Sequence, residues 1–174
     1  MRILFVFLIV CISSGVIAQR ASIRHVEGIR SVDVSYGITK YGSLFSTGFV
    51  MYFSNKLYGK GQVFYWSGEN KGVKLSSIGV DVYGAYSPFN IRETVFFNLN
   101  GGLTVANDAP IGKIEGNLQL PNQLKFGLLG GMDMEVFITD RFVTVFTFNE
   151  KFLSKKENYG QSRYFAQISL RYNL

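Results

Sequence analysis

Few side chains in this 174-residue sequence have the type and spacing for chemistry. His25 is the only histidine. An imidazole can serve as a general base, a proton shuttle or a metal ligand, but each role needs partners. None stands beside His25 in sequence, and it reads as a solvated residue ahead of the folded body. Asp133 and Glu135 are two residues apart. Two carboxylates can divide acid and base roles when their surroundings separate their affinities for protons. On a strand that spacing puts both on one face, where an inward base such as Arg171 or Lys125 would pair with them, and pairing is the simpler reading. Gly130-Gly131 lacks the spacing of a phosphate-binding loop. It reads as a place where a strand bends or admits a bulky neighbour. No His, Cys, Asp and Glu cluster has metal-ligand spacing. The sequence therefore assigns no catalytic, cofactor-binding or metal residue and no cofactor, and enzyme activity is not expected.

The elements that must carry these residues are clearest between Leu124 and Phe148. Phe126, Leu128, Gly130, Met132, Met134, Val136 and Ile138 share one parity. Lys125, Gly127, Leu129, Gly131, Asp133, Glu135 and Phe137 share the other. A strand sends these sets to opposite faces, one apolar and one small or polar. A helix would mix them, and its central glycines would weaken it. Thr139-Asp140-Arg141 turns the chain into a second strand. Two strands of about ten residues joined by a tight turn fit a bilayer crossing by tilted strands.

The remaining chain repeats the pattern. Strands are expected at Ser31–Ile38, Thr47–Phe53, Leu57–Trp66, Val73–Tyr86, Thr94–Val105 and Ser162–Leu174, which with the hairpin makes eight. Connections are expected at Lys40–Leu44, Ser54–Lys56, Ser67–Gly72, Ser87–Glu93, Ala106–Gln123 and Glu150–Gln161. Those after strands two, four and six are tight, and those after three, five and seven are longer and more polar. Bacterial barrels show this alternation of short periplasmic turns and longer outside loops when the N-terminus is periplasmic. The fold expected is all-β: an eight-stranded antiparallel up-and-down transmembrane β-barrel.

Met1–Ala18 has the form of a cleaved export signal, with Arg2, an apolar run at Ile3–Ile12 and small residues ending at Ala18. The run is too short to span a bilayer as a helix. A lipoprotein signal on Cys11 fits less well, because Val10 precedes it. Residues 1–18 are thus expected to be removed, 19–30 to form a periplasmic lead-in, and 31–174 to form the barrel. Cleavage would leave no cysteine and no thiol chemistry. Hydrophobic residues make up 47% of the chain and charged residues 17%, a thinly charged composition for a water-facing surface. The net charge of +6 is spread thinly, with no basic run longer than Lys155-Lys156. Direct nucleic-acid binding is not expected.

Alternation alone fits both a soluble calyx and a membrane barrel. The polar faces, built from Gly, Ser, Asn and Thr with isolated Asp81, Asp133, Glu135 and Arg171, suit a crowded interior better than a wet coat. The apolar faces then meet outer-membrane lipid. Tyr36, Tyr86, Tyr164, Tyr172 and Trp66 fall near strand ends, where aromatic girdles lie. An eight-stranded lumen is filled by side chains, so no solute path is expected. Some small barrels are proteases, palmitoyl transferases or lipid deacylases, whose sites usually place a histidine at the outer rim. His25 is expected at the opposite end.

The sequence resembles the TraO family, conjugative-transposon proteins of Bacteroidetes. The resemblance is carried by Ala18-Gln19-Arg20, Glu27-Gly28, D-V-Y-G-A-Y at Asp81–Tyr86 and N-L-N-G-G-L-T at Asn98–Thr104. Its strongest part is Gly130–Val143, where a glycine pair and a glutamate precede an S/T-D-R-F-V turn. The resemblance implies an outer-membrane part of the apparatus that moves a mobile element between cells, with other conjugation-machinery proteins as partners and no catalytic residues. The reading set against it is a general outer-membrane barrel of envelope maintenance or surface adhesion.

Overall fold

The computed structural model describes residues 25–70, 73–110, 122–154 and 162–174. The expected signal Met1–Ala18, the first part of the lead-in, and parts of the three loops after strands three, five and seven lie outside them.

Eight strands follow in order: β1 (Arg30–Thr39), β2 (Gly42–Tyr52), β3 (Leu57–Asn70), β4 (Val73–Ile91), β5 (Val95–Pro110), β6 (Gln123–Phe137), β7 (Phe142–Leu153) and β8 (Ser162–Asn173). Each pairs antiparallel with its sequence neighbours, and β1 pairs with β8 to close the barrel. Closure leaves no unpaired edge for the surrounding solvent to satisfy, as a bilayer requires.

Several strands are longer than their sequence pattern suggested. Lys40–Leu44 is not a connection. The β1–β2 turn is only Lys40 and Tyr41, and Gly42 opens β2 in register with Gly68. A Cβ at Gly42 would lie 2.0 Å from the Ser67 carbonyl oxygen, so this glycine marks a close backbone approach. The loop-like Ser67–Gly72 segment mostly continues β3, with Ser67 paired to Ser76 and Asn70 to Val73. Ser87–Glu93 is largely strand too. β4 runs through Pro88 to Ile91, and its register against β5 shifts between Tyr86 and Phe89. A bulge is where a sheet tolerates proline, because the ladder is locally interrupted. β5 extends past Val105 to Pro110, with Ala106 and Asp108 still facing inward and buried.

The two faces fall as expected. Val32, Val34, Tyr36 and Ile38 of β1, Leu99 and Leu103 of β5, Phe126, Leu128 and Met132 of β6 and Ile168 and Leu170 of β8 all point outward and are exposed. Asp33, Asp81, Asp133, Glu135, Lys60, Lys125 and Arg171 point inward and are buried. A water-soluble protein does the reverse with its charges. The outer solvent of this barrel is therefore lipid.

Tyr36, Tyr86 and Tyr164 are outward and exposed. Tyr172 sits outward at the end where β1 starts and β8 finishes, against Phe142 at 5.2 Å, and accepts a hydrogen bond from Arg141. Trp66 does not join them. It is buried inside, where its indole N–H donates to Thr39 Oγ1 at 2.9 Å beneath the Arg163 guanidinium. β3 is the strand with the least clear parity, because Tyr58, Phe64 and Trp66 share its inner face with Lys60 and Gln62.

Candidate functional site

Among the described residues, charge held away from solvent is concentrated in the lumen. At the end where β1 starts and β8 finishes, Glu135 of β6 pairs with Arg171 of β8. Arg171 also donates to the Tyr52 hydroxyl at 2.7 Å, and that hydroxyl donates to Glu135 at 3.3 Å.

His25 completes this group, and its place corrects the sequence reading. It is not a solvated lead-in residue. It is 2% exposed, and its Nε2 lies 2.6 Å from Glu135 Oε2. Its ring stacks on Phe96 with centroids 3.9 Å apart and planes 5° from parallel, and Tyr52 lies 4.7 Å away. The chain reaches this position through a strap over the barrel mouth. His25 and Gly28 both take positive φ, 52° and 87°. Such a backbone is costly for a residue with a Cβ. The strap is pinned to β2 by Gly28 N–H to Tyr52 O at 2.9 Å and by Tyr52 N–H to Ile29 O at 3.0 Å. Beside it, Phe96, Phe137, Val143 and Val145 form a small apolar cluster that narrows the same mouth.

Above this group, Arg171 Nε lies 3.7 Å from Asp33, and Lys60 lies 2.7 Å from the same carboxylate. Lys151 then crosses the lumen to both oxygens of Asp81 at 2.8 Å, with Gln62 Nε2 donating to Oδ2. The Lys151 ammonium lies 3.3 Å from the centroid of the Phe64 ring. At the far end Asp108 binds Lys125 at 2.9 Å and is held by Arg163.

The expected pairing of inward carboxylates is thus half met. Arg171 neutralises Glu135. Lys125 meets neither Glu135 nor Asp133, because eight residues along β6 separate it from Asp133. At about 3.4 Å per residue that is roughly 27 Å. Asp133 instead accepts a hydrogen bond from the Tyr58 hydroxyl at 2.7 Å. Glu135 is enclosed by Arg171, His25 and Tyr52. No group of three or more His, Cys, Asp or Glu suited to a metal occurs among the described residues.

Sequence reasoning missed His25, Tyr52 and Tyr58 as members of the lumen network. His25 is 110 residues from Glu135, and no periodicity precedes β1 to signal that this segment folds back. Burying these charges costs several kcal/mol per ion, which only close pairing repays. The links join β6 to β8, β1 to β3, β4 to β7 and β5 to β8, with a further one between the neighbours β5 and β6. They occupy the interior with side chains, as expected of an eight-stranded barrel.

No protein family matches the chain, and no curated protein matches it in sequence. Solved structures do match it. The N-terminal β-barrel domain of Pseudomonas aeruginosa OprF is 12% identical, with 85% of this chain and 98% of that chain covered and a TM-score of 0.59. The attachment invasion locus protein Ail of Yersinia pestis, solved with the heparin analogue sucrose octasulfate, is 15% identical, with 86% and 100% covered and a TM-score of 0.59. The outer membrane enzyme PagL is 13% identical, with 82% and 98% covered and a TM-score of 0.51. At these identities the likeness is one of fold, and the fold is shared by an enzyme as well as by other outer-membrane barrels. With its apolar exterior and charged, filled interior, this chain is a small eight-stranded β-barrel of the bacterial outer membrane.

Proposed function

We propose that the protein is a structural outer-membrane component of a conjugative-transposon transfer apparatus, with other proteins of that machinery as partners. The observation that carries this reading is the TraO-like stretch Gly130–Val143. In this barrel it forms the second half of β6, the turn and the first two residues of β7, and it bears both Glu135 of the lumen network and the Asp140-Arg141 turn. The filled lumen supports an anchoring role over that of a DNA conduit. Duplex DNA is far wider than an eight-stranded lumen already packed with side chains. The reading includes removal of Met1–Ala18 on export, a periplasmic position for both termini, and no catalytic activity. His25, the one imidazole, is committed to Glu135 inside the barrel.

The test is transfer frequency of the resident mobile element from donors with and without the gene. Loss of transfer, restored by complementation in trans, is the expected result. Unchanged transfer would remove the conjugation role. A second reading, envelope maintenance or surface adhesion, draws support from Ail, an attachment invasion locus protein of the same fold. It predicts normal transfer together with altered envelope integrity or attachment.

A further inference from the structure

Asp133 is the carboxylate that the lumen network leaves out. Asp33, Asp81, Asp108 and Glu135 each pair with a lysine or arginine. Asp133 is 3% exposed and pairs with none among the described residues. Its Oδ2 takes the Tyr58 hydroxyl and its Oδ1 has no hydrogen bond of ordinary geometry, although the Thr147 hydroxyl and the Lys60 ammonium, which is paired to Asp33, also act on this carboxylate. Asn98 of β5 and Thr147 of β7 flank it in register on the same inner face. The next inward row is Asn100, Gly131 and Asn149. Both amide atoms of Asn100 and both of Asn149 are buried without a hydrogen bond. Asn149 Oδ1 leans over Gly131, since a Cβ built there would lie 2.2 Å from it. An unpaired carboxylate and two unsatisfied amides therefore share neighbouring rows of one small lumen, around a residue with no side chain.

We propose that Asp133, Asn100 and Asn149 together bind one alkali-metal cation, sodium or potassium. The donors are all hard oxygens, a set suited to such ions and unsuited to the softer transition metals. One carboxylate balances one positive charge, whereas calcium sites commonly combine several carboxylates. The cation supplies Asp133 with the direct ion pair that every other lumen carboxylate among the described residues has from a side chain. It also satisfies amide oxygens that no protein donor reaches. The competing arrangement is a proton on Asp133, donated to one of the asparagine oxygens, and the two make different predictions.

The test uses the full barrel, folded in neutral detergent and crystallised with thallium(I) or rubidium replacing sodium and potassium. The expected result is an anomalous peak bounded by Asp133 Oδ1 and the Asn100 and Asn149 side chains. The peak should vanish in Asp133→Asn, which keeps an oxygen for Tyr58. In parallel, the thermal unfolding midpoint at fixed ionic strength should be several degrees higher in sodium or potassium chloride than in choline chloride. That difference should be lost in Asp133→Asn. No peak in the wild type, or a peak that survives the substitution, overturns the proposal. So does a midpoint independent of the cation, which is the outcome a protonated Asp133 gives. If Asp133→Asn does not fold, the wild-type anomalous map decides alone.

Discussion

Glu135 and Arg171 show most plainly what a single side chain does here. Each is almost fully buried, and each is the other's counter-charge. Removing one leaves an uncompensated ion in the lumen, which costs about 3–5 kcal/mol. Glu135→Ala and Arg171→Met should each destabilise the folded barrel by that amount in urea titrations from lipid vesicles. The double substitution should cost less than the sum, because neither ion is then left alone. Equal additivity would mean that the pair is not coupled. His25→Ala removes a hydrogen bond to a charged group and a stacked ring, and should cost about 2 kcal/mol. A solvated His25 would give no measurable change. That outcome would return it to the role its sequence position alone suggested.

At the scale of the strand, the apolar residues and the glycines do different work, Gly42 on the inner face of β2 and Gly61 on the outer face of β3. Gly42 and Gly61 separate the two reasons for glycine in a sheet. At Gly42 a Cβ would collide with the backbone of β3, while at Gly61 nothing lies within 4 Å. Gly42→Ala should therefore weaken the barrel, whereas Gly61→Ala should strengthen it by about 0.5–1 kcal/mol, the usual gain over glycine in a strand. Folded fraction against urea reads both, and a shared sign would show that backbone approach is not what fixes Gly42. The existence, number and facing of the strands were legible because period-2 alternation records which side chains meet lipid. Their ends were not. Ser67–Asn70 has turn-like composition, yet it pairs with Val73–Ser76 of β4, and past the bulge Phe89 and Asn90 pair with Phe97 and Phe96 of β5. Trp66 misled for a related reason. An aromatic near a strand end suits either an interfacial girdle or a packed lumen, and only register against Thr39 and Arg163 decides. The lumen partners of Glu135 were half legible. Arg171 shares its inward parity, but His25 arrives by a strap with no period at all.

For the molecule as a whole, the arrangement is an inverted globular protein. Its charges are sorted into cross-lumen pairs and its apolar side chains face the bilayer. Leu103 lies in the middle of the outward face of β5, and Leu103→Arg should cost about 2–4 kcal/mol in vesicles, the range for a cation facing lipid near the midplane. If this face met water instead of lipid, the same change would leave stability nearly unaltered. The central claim is that the barrel is closed from end to end and acts as an anchor, not as a passage. Ion conductance of the purified barrel in a planar lipid bilayer tests this most directly. The wild type should show no steady open state, with currents appearing only when lumen pairs are removed, as in Glu135→Ala with Lys151→Ala. A stable conductance in the wild type would contradict the sealed lumen and, with it, the argument that the protein holds the apparatus in the membrane without carrying its cargo.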